Sequence, residues 1–319
     1  MPSEPDLNDA IPLGVTEDAL GRLLLVMEGS REIRPLVFDS GGRFLWRLGK
    51  PGDGPGHYRR PYLIVKGRDD SLHVFDGSSG LQSVLGPTGE FVRGLRESLK
   101  LHAIVALRDG RFAASAIDVN ARGPRSTLHF LATSGDYSGA FHEVKDTWSP
   151  RASWGRWLAE GTDGTIWTVP VAHEYRLEHW DGAGRLLEVL LPDRDWFRPY
   201  RRLAPTDSSS APLAAVRGIW FDPAQELLWV VGVTADPRWR EGLPGKVSDG
   251  RETPLDYDRL FDGVVDVFDP RRRTLVATGR FDMALSSVTG DGLLVHMGKR
   301  VSGLWAIDLF RARLSANLR

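Results

Sequence analysis

The stretch with the most obvious chemical potential is Gly49–Tyr62, GKPGDGPGHYRRPY, with four glycines, three prolines, a lysine near its head and two arginines near its end. Glycine-rich loops beside cations cradle phosphates when their backbone N–H groups converge at a helix N-terminus. The spacing here does not fit that chemistry. A P-loop needs Gly-Lys-Ser/Thr, and Gly49-Lys50 is followed by Pro51. A dinucleotide fingerprint would require glycine at position 59, where Arg59 stands, and no helical pattern follows. The eight histidines are His57, His73, His102, His129, His142, His173, His179 and His296, and none forms a His-Glu-x-x-His zinc motif. His73, His129 and His179 sit among apolar residues, where a packed, hydrogen-bonded imidazole is expected. The run Asp256–Asp262, DYDRLFD, has calcium-like acidity but lacks the glycine and terminal glutamate of an EF-hand, so a solvated acidic loop is expected. No Gly-x-Ser-x-Gly elbow is present. The absence of cysteine removes disulfides, thiolate metal sites and cysteine nucleophiles together.

The elements that must position these residues are strands. Apolar runs of five to eight residues, rich in Val, Leu, Ile, Phe and Trp, recur along the 319 residues, and no long run has a 3.6-residue period. Thirty-five glycines and 20 prolines suit many tight turns. One kind of turn leads into a hydrophobic strand, as in DALGRLLLV (18–26) and TDGTIWTV (162–169); a second follows an aromatic or aliphatic strand end, as in FDSGGRFLW (38–46) and WDGAGRLLE (180–188). The two kinds alternate, and their count implies six units of about four strands. Each such unit buries its faces only against its neighbours, which is the requirement a β-propeller meets. The expected architecture is an all-β, six-bladed propeller forming a single domain over 1–319. Its blades are placed near 12–49, 61–97, 102–145, 154–192, 214–283 and 284–318, with insertions at 193–213 and 236–261.

Residues 37–95, with their Asp-x-x-Gly turns, the Gly-Pro-Gly of the opening loop and the proline that starts a new blade, resemble bacterial six-bladed propellers of the NHL-repeat-like kind. His57-Tyr58 departs from the Glu-Phe that follows Gly-Pro-Gly in many such proteins. The resemblance implies the fold and no single activity, because this architecture hosts enzymes and binders alike.

In such a fold the short turns share one face, and the long connections 49–61, 118–126, 145–156, 192–215 and 235–262 share the other. Surplus loop length of this kind is usually functional. That face is rich in arginine and tryptophan, which suit partner hot spots, carbohydrate stacking or anionic ligands. The candidate binding residues are His57, Tyr58, Arg59, Arg60, His102, Trp154, Arg156, Trp196, Arg217 and Trp239. His57 and His102 fall near the starts of innermost strands, within reach of the central channel.

The expected function is a non-catalytic scaffold that binds a protein partner or a small or anionic ligand through the long-loop face, or serves as a subunit of a larger assembly. Its loop aromatics are expected to form the largest exposed patch. The alternative is a metal-dependent hydrolase, lactonase or lyase with a divalent cation, Ca or Zn, at the channel mouth. Against that stand only three asparagines, Asn8, Asn120 and Asn317, as candidate amide ligands. No cofactor and no metal residue is assigned. With 41 basic against 42 acidic residues, no general grip on nucleic acid is expected. No apolar run approaches the ~20 residues of a membrane span. Residues 1–14 lack the pattern of a signal peptide, so the location is cytoplasmic, or extracytoplasmic if a signal was removed.

Overall fold

In the computed structural model the residues described are 11–28, 34–97, 99–118, 125–134, 136–144, 155–200, 209–245, 255–300 and 305–314. They form a six-bladed β-propeller. Five antiparallel sheets have four strands in simple sequential order, and the sixth has three among the described residues. The strands of successive blades span 11–47, 61–96, 99–144, 156–190, 215–281 and 285–311. The innermost strands are Ile11–Glu17, Pro61–Lys66, Leu99–Ala106, Arg156–Glu160, Ala215–Asp222 and Leu285–Val288, each beside the next.

One local rule builds three of the turns. In Asp18–Arg22, Asp39–Arg43 and Asp181–Arg185 the sequence reads Asp-x-x-Gly-Arg. The aspartate Oδ1 accepts the backbone N–H two and four residues on, at 2.8–3.1 Å. Its Oδ2 accepts from the arginine Nε, at 2.5, 3.0 and 3.1 Å. The glycine before the arginine has φ of +72°, +82° or +83°, a left-handed conformation that a side chain would strain. The Asp-x-x-Gly signal in the sequence is therefore a hydrogen-bonded device for reversing the chain.

The core is divided rather than central. Six apolar clusters lie between successive blades, and the last joins Ile307 of blade six to Leu25, Met27 and Leu36 of blade one, closing the ring. A strand inside a blade is covered on both faces, so Phe261–Phe268 is buried throughout. The edge strand Thr274–Phe281 instead alternates exposed and half-buried residues, the period-two pattern of a strand with one wet face.

Blades five and six approach closely at Gly218. A Cβ there would sit 2.8 Å from Val288 Cγ1 and 3.1 Å from the Val288 backbone nitrogen. We expect Gly218→Ala to cost about 1–3 kcal/mol by overpacking in urea denaturation. Gly139→Ala, which meets no atom within 4 Å, should stay within about 0.5 kcal/mol of the parent. Equal stabilities for the two variants would show that the inner strands separate freely.

Candidate functional site

Five of the ten candidate residues, Tyr58, His102, Arg156, Trp196 and Trp239, pack inward, while the Arg59 and Arg60 side chains stay exposed. Within Gly49–Tyr62, Lys50–Pro51 pairs in parallel with His57–Tyr58. A Cβ on Gly49 would lie 2.3 Å from the Gly56 oxygen, and one on Gly54 would lie 2.9 Å from the His57 ring. The glycines make room for the loop to fold on itself. Tyr58 is 1% exposed, wedged between blades one and two, and burial pushes its phenol up to about 12. Arg59 and Arg60 both donate backbone N–H groups to Asp76 Oδ2, at 2.6 and 2.9 Å. Their guanidinium groups pair with Asp53 and Glu28. This loop is a stitched connection between blades.

His102 packs against Trp157 with ring centroids 4.8 Å apart, and burial depresses it to about 4, so it is neutral at pH 7. Arg156 is 7% exposed and pairs with the buried Glu178 at 2.8 Å. Its Nη2 also faces His142 Nε2 at 3.2 Å. Trp196 donates from Nε1 to Asp266 at 2.9 Å, and Trp239 is 5% exposed beneath Leu260 and Phe261. Trp154 lies outside the described residues, as do most of the connections 118–126 and 145–156. The expected aromatic patch therefore does not form among the described residues. Tyr58, Trp196, Phe197 and Trp239 turn inward, because a large ring gains more from filling an inter-blade gap than from facing water. Of the long-loop aromatics, Tyr257 alone is exposed, among the described residues.

Arg217 is placed differently. It lies on the inner strand of blade five and lines a cavity of about 850 Å³ at the long-loop end of the channel. The walls are Pro12 and Leu13 at the start of blade one, Leu285, Ser286 and Ser287 at the start of blade six, and Met297, Gly298, Lys299 and Trp305 behind them. The blade-five connection closes the remaining side with Glu241, Leu243 and Leu255–Arg259.

That wall is held by specific contacts. Asp256 caps the one-turn helix Tyr257–Leu260, accepting from the N–H groups of Asp258 and Arg259. Arg259 then pairs with Glu241 at 3.2 Å and with Asp256 at 3.5 Å. Asp258 reaches blade six: its Oδ1 accepts from the Ala284 N–H at 3.0 Å and faces His296 Nε2 at 2.9 Å. The other ring nitrogen of His296 meets Asp308 Oδ2 at 3.1 Å, and Arg300 Nη2 donates to Asp308 Oδ1 at 2.7 Å. Carboxylates only accept, so an imidazole between two of them carries both protons. The hydrogen bond to Asp258 accordingly raises the His296 pKa against the opposing effect of burial. Burial alone would raise Asp258, yet the His296 and Ala284 hydrogen bonds outweigh it and hold the carboxyl low. His296 thus latches the cavity wall to blade six, and its two carboxylate partners favour the protonated form.

Asp256–Asp262, expected from its sequence as a solvated loop, instead forms this helical turn and enters the strand Phe261–Asp269. The missed signal was Asp256 as an N-cap before Tyr257–Leu260. A second acidic group, Asp236, Asp262 and Asp282, brings carboxylate oxygens within 4.8 Å of one another at the end of blade five. Its charge is met by Arg280, 2.6 Å from Asp262, and by Arg238, 3.6 Å from Asp236 and 3.5 Å from Asp282.

No family profile matches the chain, and no curated protein matches it in sequence. Solved structures do resemble it. A candidate exported protein of Bacteroides fragilis NCTC 9343 aligns with a TM-score of 0.58 at 11% identity, over 93% of this chain and 82% of that one. A streptogramin B lyase gives 0.51 at 12% identity, over 96% of both chains. The Pan2 WD40 domain of Neurospora crassa gives 0.50 at 10% identity, over 98% and 83%. At these identities the likeness carries the fold alone, which a lyase and a WD40 domain share. No helix among the described residues is long and apolar enough to cross a membrane.

Proposed function

We propose that this protein is a non-catalytic propeller that captures a small molecule in the cavity between blades five, six and one. The observation that carries this reading is the cavity itself. At about 850 Å³ it has the size of a ligand pocket, and its lining combines apolar side chains with charged groups and two serines. Leu13, Leu243, Leu255, Phe261, Met297 and Trp305 supply the apolar surface, and the blade-five connection supplies a wall that an undecorated blade would lack. The long-loop face is then the working surface, with one deep site in place of a broad aromatic patch.

The test uses 1-pyrenebutanol, a neutral apolar probe whose fluorescence reports burial. We expect saturable binding to the parent protein and a loss of at least about tenfold in affinity in Ser287→Trp, whose indole would occupy the cavity floor. Circular dichroism of the variant should match the parent. Failure of the probe to bind, or binding indifferent to the tryptophan, would remove the cavity as the site.

A further inference from the structure

We propose that the ligand of this cavity is an organic monoanion, a carboxylate on a flat or extended apolar body, and that Arg217 is the group that reads its charge. The inference rests on the pocket reading above and adds the chemical class of the ligand.

The argument is one of charge compensation. Each carboxylate lining the cavity already has a cationic partner: Glu241 and Asp256 share the single charge of Arg259, and Asp258 meets His296. Lys299 lies over the Trp305 ring with its ammonium 5.4 Å from the centroid. Arg217 has no such arrangement. Among the described residues no carboxylate pairs with it and no hydrogen bond holds its guanidinium, while the titratable groups it faces are the phenols of Tyr200 and Tyr257. Its surroundings are desolvating enough to lower its pKa, yet a guanidinium stays charged in proteins. A partly buried cation without a counter-ion is unusual, because removing a charge from water costs free energy unless a partner offsets it.

Two further polar groups line the same cavity. Ser286 and Ser287 line the cavity from the inner strand of blade six, which touches the Arg217 strand at Gly218 and Val288. Their hydroxyls make no hydrogen bond to the described residues, so both remain free to donate to a ligand oxygen. One guanidinium and two hydroxyls match a carboxylate, which takes charge-assisted hydrogen bonds from such donors. The remaining wall disfavours the alternatives. A dianionic phosphate would add a second charge opposite Glu241, Asp256 and Asp258, with Arg217 and the ring-stacked Lys299 to meet it. A cationic ligand would face Arg217 with every nearby carboxylate already engaged. The apolar side chains around the cavity then take the uncharged body of the molecule.

The experiment compares three probes of the same shape at pH 7.5: 1-pyrenebutyrate, 1-pyrenebutanol and 1-pyrenebutylamine. The parent protein is expected to bind the butyrate at least about tenfold more tightly than the alcohol, and the amine most weakly. In Arg217→Met, which keeps the apolar stem, butyrate and alcohol should converge to within about twofold while the alcohol affinity stays near that of the parent. Arg217→Lys should recover part of the preference. Equal affinity for butyrate and alcohol in the parent, a preference that survives in Arg217→Met, or tighter binding of the amine would each overturn the proposal and leave the pocket in place. Absence of binding by all three removes the pocket and this inference together.

Discussion

Asp266→Ala is expected to destabilise the protein by on the order of 3–5 kcal/mol, a large fraction of the roughly 5–15 kcal/mol of an ordinary folded protein. Asp266 is completely buried in the third strand of blade five and accepts five hydrogen bonds. Arg194 donates from Nε at 3.0 Å and from Nη2 at 3.2 Å, Trp196 from Nε1 at 2.9 Å, Tyr175 from its hydroxyl at 3.2 Å and Thr278 from Oγ1 at 2.7 Å. These donors come from blade four, from the connection after it, and from the neighbouring strand of blade five. One carboxylate therefore fastens the connection 191–200 across the joint between two blades.

Alanine would strand the Arg194 charge in a half-buried position and leave the Tyr175 hydroxyl and the Trp196 indole N–H unpaired. Each loss of that kind is costly because an unmet donor keeps its full desolvation penalty. Asn at the same position keeps the shape and some of the hydrogen bonds, so it should lie between alanine and the parent. Urea denaturation followed by circular dichroism measures both, and limited proteolysis should cut within 191–200 first. A loss below about 1 kcal/mol for Asp266→Ala would falsify this account, since that is the scale of a single ordinary hydrogen bond.

The second large effect is acid lability. Burial depresses His73, His102 and His142 from 6.5 to about 4, with Arg156 adding to the effect at His142. Their folded pKa lies below the unfolded one, so the unfolded chain binds more protons between those values. The stability they support is present above pH 6.5 and is lost as pH falls toward 4. At about 1.4 kcal/mol per unit the loss is on the order of 3 kcal/mol per histidine as an upper figure. Glu97, raised by burial to about 7 beside Tyr62, acts in the opposite sense and offsets one of the three.

His296 behaves in reverse. Its folded pKa is raised, so its contribution is complete below 6.5 and fades as pH rises through the folded value. Melting temperature measured from pH 4 to pH 9 should therefore show a steep acid limb, a neutral maximum and a shallower decline on the alkaline side. His296→Gln should flatten the alkaline decline and leave the acid limb in place. A melting temperature that holds steady from pH 7 to pH 4.5 would mean that the three buried histidines accept protons without unfolding.

What could be read in the residues was the part of the structure made of local chemistry. The Asp-x-x-Gly-Arg turns declare themselves because the aspartate, the glycine and the arginine act within five residues of one another. The alternation of two turn kinds gives blades, and their number gives six. The glycine loop Gly49–Tyr62 could be stripped of a phosphate role by spacing alone. Local pattern also marked the long-loop face, since surplus length is visible in any chain.

The site itself was decided elsewhere. Tyr58, Trp196 and Trp239 looked like surface anchors because loop residues usually meet water; only the folded chain shows each one filling a gap between strands. Arg156 finds Glu178 at a separation of 22 residues, and Arg194 finds Asp266 at 72. His296 meets one carboxylate 12 residues away and another 38 away, and it becomes a latch only because both arrive at once. The cavity draws its walls from residues 12–13, 217, 241, 243, 255–259, 285–287, 297–299 and 305, which a closed ring brings together and a sequence keeps apart. Arg217 was among ten residues of similar promise in the chain. Tertiary structure distinguishes it by giving Arg259 and Lys299 partners and, among the described residues, no carboxylate to Arg217.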